Sequence, residues 1–228
     1  MDSLTRDVEE IFNPSRLMGY QELYDEKTVV YKAAKRLFDI AASLAALVIL
    51  SPIFLLTILA ILLEDGGPVF FVQPRAGKDL KPFRMYKFRS MFKDADKMFA
   101  ALQEQNEQSG HAFKIKDDPR ITKVGRFIRK YSIDELPQLI NVLKGDMSIV
   151  GPRPILVFQM EECNKYQQQR LIVKPGLTCY WQISGRADIQ WEDWVELDLK
   201  YIRNMGIVTD LVMIMKTIPA VFRGDGAY

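Results

Sequence analysis

Hydrophobic positions along this chain fall into one long block and several short periodic patches. The block covers residues 37–63, 27 positions with a single ionisable side chain, Asp39. An apolar stretch of about 18 residues or more reads as a membrane helix. At about 1.5 Å per residue, a straight helix of this length reaches roughly 40 Å. Ser51 and Pro52 lie at its centre. A proline inside a helix donates no hydrogen bond and crowds the carbonyl four residues back, here that of Val48. The Ser51 hydroxyl is expected to bond back to the Leu47 carbonyl, which also favours a bend. A sharp break leaves two halves of about 20 Å, enough to enter one leaflet and return.

The flanks favour return. Lys32, Lys35 and Arg36 precede the block, and Arg75, Lys78, Lys81 and Arg84 follow it after a Gly66-Gly67-Pro68 turn. Basic residues beside a membrane segment prefer the cytoplasm. Both ends qualify, so a re-entrant hairpin ranks above a kinked spanning helix. A buried core helix ranks last, because such helices seldom run so long without a polar face.

The shorter patches predict a mainly helical chain with a small sheet, the α+β class. A helix at 3–12 stops at Asn13-Pro14. Strands are expected at 68–72, 83–88 and 147–150, with a turn at 73–77. Helices are expected at 95–108, 136–143, 155–169 and 191–203, the last carrying Trp191, Trp194, Val195, Leu197 and Tyr201 at helical spacing. Residues 119–130 are basic, with Ile121, Val124, Phe127 and Ile128 on one side. The apolar segment 211–222 is too short to span a membrane and suits the interface or a core edge. The chain therefore divides into an extension (1–31), a broken membrane helix (32–66) and a globular part (67–228).

Composition narrows the chemistry. The 228 residues hold one ordinary domain beside the membrane element. The net charge of +2 says little, but residues 81–135 carry 13 Lys or Arg against 8 Asp or Glu. That excess suits an anionic partner, or simply a solvated surface. Two cysteines, Cys163 and Cys179, make neither a zinc site nor a disulfide framework and fit a reducing compartment. With His111 as the single histidine, a Ser-His-Asp triad or multi-histidine metal site would have to pass through it. Chemistry is expected to rest on carboxylates, lysine, arginine and a hard metal ion. The polar, acidic first thirty residues are no secretory signal.

Several segments can carry that chemistry. Ser132-Ile133-Asp134-Glu135 ahead of an apolar run is a capping box on one reading, with Glu135 reaching back to Ser132. On the other, Asp134 sits ionised at a helix N-terminus beside amides that hold a phosphate. Neighbouring residues on a helix point about 100° apart, so Asp134 and Glu135 take separate tasks, one attacking phosphorus and one binding metal. Arg153 between Pro152 and Pro154 is a guanidinium on a stiff backbone, suited to phosphate or to a plain loop. Lys87, the arginines 120, 126 and 129, and Trp181 with Gly185-Arg186 complete the candidates. No P-loop or dinucleotide fingerprint is present.

Taken in order, KRLFD at 35–39, Ser51-Pro52, KFRSM at 87–91, the block 114–154, KPGLTCYWQISGR at 174–186 and RGDGAY at 223–228 resemble the monotopic phosphoglycosyl transferases, the bacterial sugar transferase family. The similarity covers about residue 32 to the end. It implies transfer of a sugar-1-phosphate from a nucleotide-sugar donor, a UDP-sugar, to polyprenyl (undecaprenyl) phosphate at the cytoplasmic face of the bacterial inner membrane, with release of UMP. It implies Asp134 as nucleophile, through an aspartyl phosphosugar, and Glu135 as the Mg²⁺-associated partner. Lys87, Arg129, Arg153 and Arg186 match substrate phosphate-binding positions, and Ser51-Pro52 the break of the membrane hairpin. The globular part then becomes the cytosolic catalytic domain, and a homodimer is left open. The long spacer before residue 114 resembles the hexose-type branch. A membrane-anchored scaffold binding anionic lipid is the alternative. Nucleic acid is not expected, since acids interleave the basic stretch and no docking motif is present.

Overall fold

The structure, a computed structural model, describes residues 19–95, 118–184 and 189–223. The helix expected at 3–12, and all but Ala95 of that at 95–108, lie outside these residues. Helices dominate and two small two-stranded sheets join them, so the α+β class holds.

Helix α1 (Gly19–Asp25) leads to α2 (Val29–Ile49), whose first turn is capped by Thr28 Oγ1 accepting from the Tyr31 amide at 3.1 Å. Helix α3 (Ser51–Asp65) follows at 60° to α2. The bend has the expected cause with a different bond. Ser51 Oγ donates to the Val48 carbonyl at 2.8 Å, not to Leu47. Val48 is the carbonyl that Pro52 leaves without its helical donor, so it is the one that needs a partner. Among the described residues no single helix is long and apolar enough to cross a membrane, but α2 and α3 together meet that length and composition.

The two halves bury opposite kinds of surface. Helix α2 turns Asp39 and Ser43 inward and leaves Leu37, Leu44 and Val48 exposed. Helix α3 packs Phe54, Ile58 and Ile61 on Phe88 and Ile128, with the Phe54 and Phe88 rings edge to face at 5.2 Å. Such a ring pair adds about 1 kcal/mol beyond area burial. Leu55, Leu56, Leu59, Leu62 and Leu63 stay outside.

Strands β1 (Phe70–Ala76) and β2 (Pro82–Phe88) form an antiparallel ribbon, in register from Phe70 opposite Phe88 to Ala76 opposite Pro82. Of the turn expected at 73–77, residues 73–76 are strand. The chain reverses instead at 77–81, where Asp79 and Leu80 take φ of 55° and 62°. Pro74 is tolerated because a two-stranded ribbon leaves one edge of each strand unpaired.

Helix α4 (Lys123–Lys130) has two caps. Thr122 Oγ1 accepts from the Gly125 amide at 2.8 Å. The Glu64 carboxylate, from the end of α3, accepts from the Lys123 and Val124 amides at 2.7 and 3.0 Å. Helix α5 (Gln138–Lys144) leads to β3 (Ser148–Val150), which pairs in parallel with β4 (Gly176–Thr178).

The single helix expected at 155–169 is two: α6 (Val157–Glu162) and α7 (Lys165–Gln168), with Cys163 extended between them. Asn164 explains the break. It accepts from the Gln167 amide at 2.9 Å while Gln167 Oε1 accepts from the Asn164 amide at 3.1 Å, a capping box that starts a new helix. Helices α8 (Tyr180–Ile183), α9 (Trp191–Asn204) and α10 (Ile207–Arg223) complete the fold. The main core gathers Trp191, Val195, Leu199 and Ile202 of α9 with Val150, Ile155, Leu171 and Met213. Leu199, not Leu197, is the fully buried leucine of that stripe. Val208, Leu211, Met215, Ile218 and Phe222 of α10 remain exposed, as do the outer faces of α2 and α3. Exposed apolar surface on that scale marks a membrane or partner contact.

Candidate active site

The carboxylate pair lies on a single 3₁₀ turn, Ile133–Glu135, between α4 and α5. Ser132 ahead of it holds φ at 54°. A non-glycine residue there costs about 1–2 kcal/mol, and such conformations gather at functional sites. The capping-box reading fails. Ser132 makes no side-chain cap bond, and α5 starts only at Gln138. The helix-terminus placement of Asp134 fails with it, because the turn precedes the helix.

Glu135 is bound from three remote elements. Lys87 Nζ of β2 lies 2.9 Å from Oε1 and Arg153 Nη2 3.0 Å from the same oxygen. Gln182 Nε2 of α8 donates to Oε2 at 3.0 Å. Asp134 has one ion-pair contact among the described residues, Lys87 Nζ at 3.7 Å from Oδ2. Lys87 thus serves both carboxylates, although they are sequence neighbours expected to point apart.

Both side chains are buried, with opposite consequences. Burial pushes the Glu135 carboxyl up, but Arg153 and Lys87 together hold it well below the usual carboxylate range. Burial also pushes Asp134 up, and Lys87, Arg129 and Arg153 only partly offset this while Glu135 adds to it. The turn holds one firmly ionised carboxylate and one whose charge is poorly compensated. The expectation that Asp134 is kept charged by a helix dipole gives way to this asymmetry.

Each cation is placed by the fold. Lys87 sits on β2, which Asn141 of α5 fixes by accepting from the Tyr86 amide at 3.0 Å and donating to the Arg84 carbonyl at 2.7 Å. Arg129 Nε donates to Ser90 Oγ at 2.8 Å. A Cβ on Gly125 would sit 1.9 Å from the Ser90 carbonyl oxygen, so only glycine lets α4 lie this close. Burial lowers the Arg129 pKa and the Asp134 charge works against that, which couples the two. Arg120 instead closes on Asp118 at 2.6 Å and Arg126 is exposed, so the expected arginine trio contributes Arg129 to the site. Arg186 lies outside the described residues.

The loop carrying Arg153 leaves β3 at Gly151. A Cβ on Gly151 would meet the Lys174 carbonyl oxygen at 2.4 Å, and one on Gly176 the Gly151 amide nitrogen at 2.1 Å. Two backbones in contact hold this loop against β4.

Sequence reasoning missed three residues. Gln182 was hidden inside an apolar segment. Asn141 looked like an ordinary helix position. Arg75 was counted among flanking charges, yet it turns inward, donating to Gln73 Oε1 at 2.8 Å, with Nη1 3.5 Å from the Pro154 carbonyl. Burial, with repulsion from Arg153, brings its pKa down to about 10 against the pull of Glu135. Its Nε has no hydrogen-bond partner among the described residues. The available signal was its place after Gln73, on a strand that had been read as a turn.

The donor set fits a hard divalent cation. Mg²⁺ takes one or two carboxylates together with substrate phosphate oxygens. Each carboxylate oxygen can accept twice, and among the described residues Glu135 Oε2 accepts from Gln182 alone. That atom and Asp134 would hold the ion. No cluster of three or more His, Cys, Asp or Glu occurs among the described residues, so substrate would complete the shell.

Comparison with known proteins gives a consistent answer. Residues 30–224 match the family described as bacterial sugar transferase. The galactosyl transferase CpsE of Streptococcus agalactiae is 47% identical over 195 residues, 85% of this chain and 43% of CpsE. The exopolysaccharide production protein ExoY of Sinorhizobium fredii is 41% identical over 199 residues, 86% of this chain and 88% of ExoY. The undecaprenyl-phosphate galactose phosphotransferase of Salmonella typhimurium is 44% identical over 199 residues, 85% of this chain and 41% of that protein. The chain thus spans less than half of the first and third and most of the second.

Proposed function

The chain belongs to the bacterial sugar transferase family, and on that premise we propose that it is a phosphoglycosyl transferase moving a sugar-1-phosphate from a nucleotide diphosphate sugar to a polyprenyl phosphate. The observation that carries the reading is the asymmetric carboxylate pair. Glu135 pairs through Oε1 with two cations, whereas Asp134 is buried beside it with little compensation. A poorly solvated carboxylate is a stronger nucleophile than a hydrated one, and carboxylates serve as phosphoryl acceptors.

In the proposed reaction an Asp134 oxygen attacks the sugar-bearing phosphorus. The bond from that phosphorus to the bridging oxygen breaks, and the nucleoside monophosphate leaves with the electron pair. Lys87, Arg153 and Arg129 neutralise the charge spread over the equatorial oxygens. An oxygen of the polyprenyl phosphate then attacks the same phosphorus and frees Asp134. Two displacements predict ping-pong kinetics. Mg²⁺ at Glu135 and Asp134 would supply further charge neutralisation on the donor diphosphate.

The acceptor is a lipid, and the exposed apolar faces of α2, α3 and α10 suit a chain seated in one leaflet at the cytoplasmic face of the inner membrane. The α2–α3 pair would enter and return on the same side. Cysteines introduced at Lys32 and Lys78 should then both label from the cytoplasmic side of inverted vesicles. Labelling of the two from opposite sides would replace the hairpin with a span.

The deciding assay incubates solubilised protein, Mg²⁺ and undecaprenyl phosphate with a panel of UDP-sugars and reads UMP. Two similar proteins are named for galactose transfer, so UDP-galactose heads the panel. Release with at least one donor, and a phosphosugar adduct on wild type but not on Asp134→Asn, is the expected result. Folded protein that releases nothing from any donor would leave the lipid-binding scaffold as the better reading.

A further inference from the structure

Arg153 stands in a closed ring of contacts that its own loop does not supply. Its guanidinium lies 4.4 Å from the centre of the Trp181 ring. Trp181 packs on Trp194 at 5.4 Å between centroids. Trp194 in turn lies 4.9 Å from the Arg170 guanidinium, with Trp191 on another side at 5.4 Å. Arg170 Nη2 closes the ring by donating to the Arg153 carbonyl at 3.1 Å. The same nitrogen pairs with Asp198 Oδ2, while Asp198 Oδ1 accepts from the Arg153 amide at 3.3 Å. Both backbone polar groups of Arg153 are thus held by one ion pair, whose side chains are 0% and 1% exposed.

An ion pair this deep is a poor source of stability. Desolvating two charges roughly cancels their attraction, and an apolar pair of the same volume often does as well. Arg170 also leaves Nε and Nη1 without a hydrogen-bond acceptor among the described residues. Such an arrangement makes sense where placement matters more than folding energy. What it places is the residue that grips Glu135 from the α9 side, at 3.0 Å.

We propose that Arg170 and Asp198 are positioning residues for Arg153, fixing its backbone from behind while the Trp181–Trp194 stack fixes its guanidinium. The inference rests on the phosphoglycosyl transfer proposed above, because it assigns the pair a task in holding a phosphate-binding arginine. Asp198 falls four residues after Trp194 and seven after Trp191, on the buried face of α9, so the helix brings these parts of the ring together.

A double-mutant cycle tests this. With the best UDP-sugar donor, Asp198→Asn should lower kcat/KM by about tenfold or more in the wild-type background. In the Arg153→Ala background the same change should cost less than about twofold, because what it positions is gone. Losses that multiply would overturn the proposal. Arg170→Lys, which keeps charge but not the fork, should follow the same pattern.

A second readout does not need turnover. The chain has three tryptophans, and all three lie in or against this ring. Near-UV ellipticity therefore reports on it directly. Asp198→Asn should change the tryptophan bands, and adding it to Arg153→Ala should change them little further. An unchanged spectrum for folded Asp198→Asn would sink the positioning role. A changed spectrum with no UMP release from wild type would sink the reaction and leave the ring standing. If Asp198→Ala does not fold, Asp198→Asn, with its shape and one acceptor retained, still decides.

Discussion

Two buried charge networks join distant parts of this chain, and they are built to different standards. The first clasps α2 to the globular part. Asp39 accepts from Ser148 Oγ at 3.0 Å and from the Ile149 amide at 2.9 Å. Lys35 bridges the Val150 carbonyl at 3.1 Å and Asp210 at 2.7 Å. Arg36 reaches the Val142 and Leu143 carbonyls at 2.6 and 2.7 Å at the C-terminal end of α5, where Val142 also accepts from the Gly145 amide. Every charge in the clasp has close partners. The second network surrounds Ile133–Glu135, and there Asp134 has, among the described residues, a single ion-pair contact, Lys87 at 3.7 Å. A fully satisfied network stiffens a fold, whereas a charge left short of partners is available for chemistry.

Breaking the second network at its weak member should have the largest effect. Asp134→Asn removes the proposed nucleophile, and nucleoside monophosphate release should fall by at least about 10³-fold while the melting temperature stays within a few degrees. A variant that keeps a tenth of the activity would remove Asp134 from that role. Chelation comes next. EDTA should suppress turnover of the wild-type protein and added Mg²⁺ should restore it, whereas the α2 clasp, which uses no metal, should melt unchanged.

The clasp should fail differently. Asp39→Ala strands a buried hydroxyl and a backbone amide, each costing about 1–3 kcal/mol. The midpoint of thermal or denaturant unfolding should drop accordingly. Asp39→Asn, which can still accept, should lose less. Equal losses for the two would mean that the charge, not the acceptor, holds α2.

Acidity sharpens the contrast. The proposed attack needs ionised Asp134, and burial raises its pKa, so activity should be lost on acidification at a higher pH than for an ordinary aspartate. Lys87 is the largest influence that lowers it. Lys87→Ala should therefore move the acid limb of kcat upward, beyond any loss in rate. A limb that stays in place would separate Asp134 from the titration. The smallest effect expected is that of Ser51→Ala, which removes one neutral hydrogen bond to the Val48 carbonyl. It should cost less than about 1 kcal/mol and leave the bend, since Pro52 remains.

What the sequence disclosed follows from how far each signal reaches. The Ser51-Pro52 bend was legible because a proline acts on its own turn. Strand β2 and helix α9 were legible from periodicity. The break between α6 and α7 was local too, in the Asn164–Gln167 box, but an apolar and amphipathic run through it masked the signal. Lys35 and Arg36 were read as flanking charges, and their carbonyl and carboxylate partners lie more than a hundred residues away. Ser132 and Glu135 had the spacing of a cap, and only tertiary contact shows Glu135 committed to Lys87, Arg153 and Gln182. The site residues were nameable largely through family resemblance. Their division of labour required distances.

One joint has a mechanical meaning. The Glu64 carboxylate ends α3 yet finishes the first turn of α4, and α4 carries Arg129 near its far end. The two helices are thereby linked as a crank and its shaft. In the membrane-seated arrangement proposed above, tilting the apolar arm is expected to swing the Arg129 guanidinium at the other end of the joint.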